Sequence, residues 1–116
     1  MLKIYHNTRC KKSRAGLKYL KNKNIDFEII QYLKTQLTLK DLSEILMKLN
    51  KNPQEIIRTQ ETYYKINLKN KNFTDYEWKR IIIENPKLLQ RPIIVAKYKA
   101  VIAQPPEKID ELLIKT

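Results

Sequence analysis

The chain has 116 residues, 42% of them hydrophobic and periodically placed, which suits one modest folded domain rather than disorder. It carries 24 lysines and arginines against 12 acids, a net charge of +12, with one cysteine and one histidine. That inventory excludes an internal disulfide and falls short of a four-ligand zinc site, so no metal is expected. No apolar run reaches the ~18 residues of a membrane span, and the start lacks a signal-peptide pattern, so a cytoplasmic protein is expected.

In chain order, LKIY (2–5) alternates as a short strand, and the segment HNTRCKKSR (6–14) follows as a turn. Residues 12–23 read as a helix with Leu17 and Leu20 on one side and lysines in its last turn, which suits the negative helix end. DFEIIQYL (26–33) reads as a second strand, so the opening ~30 residues have the scale of a βαβ unit with parallel strands.

A helical section follows. Residues 38–50 place Leu39, Leu42, Ile45, Leu46 and Leu49 on one face, with Thr38 as N-cap and Asp41 three residues on. Asn52 before Pro53 is a second start signal, and TDYE (74–77) is a third, with Thr74 as cap and Glu77 at the reciprocal position. That last helix should turn Trp78 and Ile81 inward and stop near Asn85–Pro86. Met47, Tyr63, Tyr64 and Trp78 are expected to pack in or beside the core. PIIVA (92–96) and AVIA (100–103) make a hairpin joined by KYK, and PPEKIDELLIK reads as a final helix with Ile109, Leu112 and Leu113 inward. The order β-α-β, helices, β-β-α, without repeat or linker, predicts one α/β domain over residues 1–116.

The positive charge is mostly lysine, spread along the chain, and no RNA-recognition, zinc-finger or helix-turn-helix signature accompanies it. This argues against a dedicated nucleic-acid site. Arginine stands only at positions 9, 14, 58, 80 and 91. Its planar fork grips carboxylates and tetrahedral oxyanions through two hydrogen bonds, which lysine cannot copy, so these five are the candidates for shaped anion binding.

Cys10 lies where the first helix begins. Free N–H groups and the helix dipole favour an anion there, and Arg9, Lys11, Lys12 and Arg14 add positive charge. Ser13 is placed to donate to the sulfur, and His6 to hold or polarise the loop. A free thiol titrates near ~8.5, and all these features push it towards thiolate. CKKS is not a dithiol pair, so any disulfide at Cys10 must form with an outside thiol.

HNTRCKKSR resembles the HNPxCGTSR active-site segment of the glutaredoxin-dependent arsenate reductases, the ArsC family, whose wider group includes the Spx regulators. The likeness continues, in order, through YLKTQLTLKDL (32–42), IIRTQETYYKINL (56–68), ENPKLLQRPIIV (84–95) and KAVIAQPPEKIDELL (99–113). It implies a thioredoxin-like, glutaredoxin-type fold with a helical insertion over about 38–85. It makes Cys10 the nucleophile towards arsenate, with glutathione as thiol co-substrate, no bound cofactor, and glutaredoxin resolving a mixed disulfide. Arg58 and Arg91 become oxyanion-binding residues, His6, Ser13 and Arg14 supports of the thiolate, and Pro92 the cis-proline facing the cysteine. Three positions depart from the pattern: Thr8 replaces a proline, Lys11 a glycine, and Gln104 a third arginine, which leaves Gln104 as the candidate third oxyanion contact. The same group offers two alternatives, a Spx-like regulator that binds RNA polymerase and a relative glutathionylated at Cys10 without arsenate activity.

Overall fold

The structure, a computed structural model, describes residues 1–113. It comprises two compact units: Met1–Thr35 together with the chain from Arg91 onward, and Gln36–Gln90.

Among the described residues the first unit is a four-stranded sheet with one α-helix and a closing 3₁₀ helix. Strands β1 (Leu2–Tyr5) and β2 (Phe27–Ile30) are parallel, with helix α1 (Lys11–Asn22) between them in sequence. Strands β3 (Ile93–Val95) and β4 (Ala100–Ile102) are antiparallel neighbours, and the sheet order is β2-β1-β3-β4. Ile4 pairs with Ile29 on one side and Ile94 on the other. Ile4, Leu20, Ile94, Val101, Ala103 and Ile109 form the core, with Leu17 and Phe27 packed against it. Each such aliphatic side chain contributes about 1.5–3 kcal/mol by leaving water. The sequence pattern for β1, α1 and the hairpin is thus observed.

Two expectations change here. The second strand ends at Ile30 rather than Leu33, because the Gln31 carbonyl accepts the N–H groups of Lys34 and Thr35 and closes a turn. The final helix is a 3₁₀ helix, Pro106–Leu112. Its Ile109 is buried as expected, whereas Leu112 and Leu113 are half-buried; Ile114 and Lys115 of that expectation lie outside the described residues. Tyr19 on α1 donates its hydroxyl hydrogen to the Asp110 carboxylate, at 2.8 and 2.9 Å from its two oxygens, and ties the helix to this segment.

The second unit is helical: α2 (Leu39–Leu49), α3 (Thr62–Asn67) and α4 (Asp75–Glu84), with 3₁₀ turns at Pro53–Ile56 and Pro86–Leu88. Thr38 caps α2 by accepting the Asp41 N–H, and Asn50 ends it in the left-handed conformation at φ 56°. Thr74 and Glu77 form a complete reciprocal cap on α4, and Leu42, Ile45, Leu46 and Trp78 are buried. The Asn52–Pro53 signal yields a single 3₁₀ turn, and α3 carries no strong apolar period to announce it. Met47 is 72% and Tyr63 43% exposed, contrary to the core placement expected of them. Met47 falls off the Leu42–Ile45–Leu46–Leu49 stripe, so its helix face points to solvent. On α4, Ile82 and Ile83 are buried and Ile81 only partly so. No helix among the described residues is long and apolar enough to cross a membrane.

Candidate active site

Cys10 is the N-cap of α1, with extended backbone angles (φ −92°, ψ 123°). A serine or aspartate at this place would use its side chain to accept an N–H from the first turn. The sulfur closes no such cap bond, yet the N–H groups of Ser13 and Lys12 still favour negative charge on it. The preceding turn is fixed from within. Asn7 accepts the Arg9 N–H on its side chain and the Cys10 N–H on its carbonyl, each at 3.0 Å, and Arg14 donates to the Thr8 carbonyl at 3.1 Å.

Behind the turn, Ser13 is fully buried and His6 nearly so. The Ser13 hydroxyl lies 2.7 Å from His6 Nδ1 and accepts the Asn7 N–H at 3.0 Å. The hydroxyl therefore braces the loop, while the Ser13 backbone N–H is the part that acts on the sulfur. Burial holds His6 below the ordinary imidazole value, with the positive charges of Arg14 and Lys21 adding to it, against a raising contact with the Ser13 backbone. His6 is thus neutral at pH 7.

Arg91 arrives from the loop before β3. It is only 9% exposed, and its peptide bond to Pro92 is cis. Burial pushes the Cys10 thiol up, but a hydrogen bond from the Arg91 guanidinium, its charge, and the Ser13 and Lys12 N–H groups outweigh that and hold the thiol below its ordinary value. Gln104, just past β4, donates from Nε2 to the Arg91 carbonyl and accepts from Lys12 Nζ at 3.3 Å. Its peptide bond to Pro105 is also cis.

Cys10, His6, Ser13, Arg14, Arg91, Pro92 and Gln104 all belong to the first unit. Arg58 belongs to the second unit. It follows the isolated antiparallel bridge of Ile57 with Leu89, its N–H donates to the Leu88 carbonyl at 2.7 Å, and its guanidinium is 2.7 Å from Glu61. No group of three or more His, Cys, Asp or Glu residues that could hold a metal occurs among the described residues.

Sequence reasoning missed Gly16. A Cβ built there would stand 2.6 Å from Pro92 Cγ, so α1 passes Pro92 too closely for any side chain. The signal was available, since this is the chain's only glycine and it sits inside a helical pattern.

The ArsC family model matches residues 5–112, through both units. The chain belongs to the ArsC family. Among its relatives, the "Uncharacterized protein YfgD" of Escherichia coli (strain K12) is 39% identical over 97% of this chain and 96% of its own. An arsenate reductase of Neisseria meningitidis is 38% identical over 97% of each chain. The solved structure of an arsenate reductase from Vibrio cholerae superposes with a TM-score of 0.89 at 35% identity, covering 95% of each chain. The fold is therefore the thioredoxin-like fold of this family, with its β-α-β and β-β-α halves supplied by the first unit.

Proposed function

We propose that this ArsC-family protein is an oxidoreductase that reduces arsenate to arsenite, using Cys10 as a single nucleophile with glutathione and glutaredoxin as the reducing partners. The observation that carries the reading is the buried Arg91 set against the thiol of the residue at the N-cap of α1. The names of the Neisseria and Vibrio relatives support arsenate as the oxyanion.

In this reading the Cys10 thiolate attacks arsenic(V), an S–As bond forms, and one arsenate oxygen leaves as water after protonation. A glutathione thiolate then attacks the Cys10 sulfur. The S–S bond forms as the S–As bond breaks, and the electron pair of the broken bond stays on arsenic. Arsenic gains two electrons, and the two thiols become a mixed disulfide that glutaredoxin resolves. Arg91 neutralises the oxyanion and the thiolate in turn; Arg58 acts as the second oxyanion ligand, an assignment resting on its RTQE motif. His6 and Ser13 hold the Cys10 loop, and neutral His6 adds no charge that would compete for the anion.

The test is arsenate-dependent NADPH oxidation in the presence of glutathione, glutaredoxin and glutathione reductase. Turnover by the wild type and its loss in Cys10→Ser is the expected outcome; full turnover in Cys10→Ser contradicts the mechanism. A second reading, a protein that takes up glutathione at Cys10 without reducing arsenate, draws on Gln104, which lacks the arginine charge. Absence of turnover with Cys10 still open to glutathionylation would favour it.

A further inference from the structure

The Gln104 amide is engaged at both ends: Nε2 with the Arg91 carbonyl, Oε1 with the Lys12 ammonium. An arginine at this position would meet the carbonyl equally well but would have only donors to offer Lys12, and two cations would face each other. A neutral amide at 104 and a lysine at 12 therefore fit as a pair. Lys12 is the second residue of α1, and its own N–H is one of the two that act on the Cys10 sulfur. The brace consequently spans from the thiol's helix to the backbone of the residue whose guanidinium meets that thiol. Both side chains are exposed, so the ammonium stands in solvent on the helix that carries Cys10 at its N-cap.

We propose that Gln104 is a positioning residue that tethers Lys12 beside the Arg91 loop, and that Lys12 supplies the mouth of the Cys10 site with the cation that draws in an anionic substrate. The inference rests on reading Cys10 as a nucleophile towards an oxyanion. It separates the two tasks an arginine at 104 would combine, with Gln104 holding the loop and Lys12 carrying the charge.

The test compares alkylation of Cys10 by iodoacetate, an anion, with alkylation by neutral iodoacetamide. Both displace iodide, and the ratio of their rates reports the positive potential at the thiol's mouth. Lys12→Gln is expected to lower that ratio about two- to fivefold at low salt, the range of an exposed charge interaction, with the difference fading at ~1 M salt. Gln104→Ala is expected to lower it in the same direction and to add nothing in the Lys12→Gln background, since it acts through Lys12. An unchanged ratio in Lys12→Gln overturns the proposal, as does a Gln104→Ala loss that persists undiminished in the double variant. Arsenate takes no part in the experiment, so an unchanged alkylation ratio and a failure of arsenate turnover are separate outcomes, the first overturning this inference and the second the reading on which it rests.

Discussion

A thiol at a helix N-terminus gains only a modest preference for its ionised form from the dipole. What distinguishes Cys10 is Arg91, whose guanidinium is nearly removed from water and hydrogen-bonds the sulfur. Hydrogen bonds to charged groups contribute about 1.5–3 kcal/mol, so Arg91→Ala should lower kcat/KM for arsenate by roughly tenfold to a hundredfold. Because the thiol is held below its ordinary value, the rising limb of the alkylation rate against pH should lie lower than for a free cysteine. Arg91→Ala should move that limb upwards; an unmoved limb would show that Arg91 does not stabilise the thiolate. His6 makes a separate prediction about stability. Its folded value is depressed, so the folded state resists protonation, and its contribution is complete above the unfolded value of ~6.5 and lost as pH falls through the lower folded value. The thermal midpoint should decline over that window in the wild type and decline less in His6→Asn.

At the scale of elements, the approach of α1 to the Arg91–Pro92 loop sets the site, and Gly16 permits it. Gly16→Ala gains helix propensity, but the 2.6 Å approach of its Cβ to Pro92 requires a shift of backbone or ring. Overpacking of this kind costs about 1–3 kcal/mol, so the variant should be less stable by chemical denaturation and its Cys10 slower to alkylate. The α4 cap lies in the other unit, and Thr74→Ala should cost about 1 kcal/mol without changing Cys10 alkylation. These elements also show what the sequence made legible. Thr38, Thr74 and the apolar stripe of α2 marked their helices because caps and periodicity are local. The short α3, the 3₁₀ form of Pro106–Leu112 and the early end of β2 depend on which carbonyl accepts which N–H, a choice not written in residue type. At the site, Cys10 and Arg91 stood out by chemistry and by motif. The Ser13 hydroxyl, expected at the sulfur, is instead beside His6 Nδ1, and the Lys12–Gln104 bond joins residues 92 positions apart.

Across the whole molecule, the family match runs through both units, and Arg91 lies in the first and Arg58 in the second. The groups that lower the Cys10 thiol all belong to the first unit. Arg58→Ala should therefore raise KM for arsenate by about tenfold or more while leaving the pH profile of alkylation in place. Glu61, 2.7 Å from Arg58, orients that guanidinium and partly offsets its charge. The net charge of +12 acts at longer range on an anionic substrate, and screening should raise KM as salt is added. In the proposed reaction arsenate itself oxidises Cys10 and glutathione to a mixed disulfide. Intact-mass measurement of the protein incubated with arsenate and glutathione, with glutaredoxin omitted, tests it most directly. One glutathione should be added per chain, only when arsenate is present and never in Cys10→Ser. A wild-type protein that gains no arsenate-dependent glutathione under those conditions would contradict it.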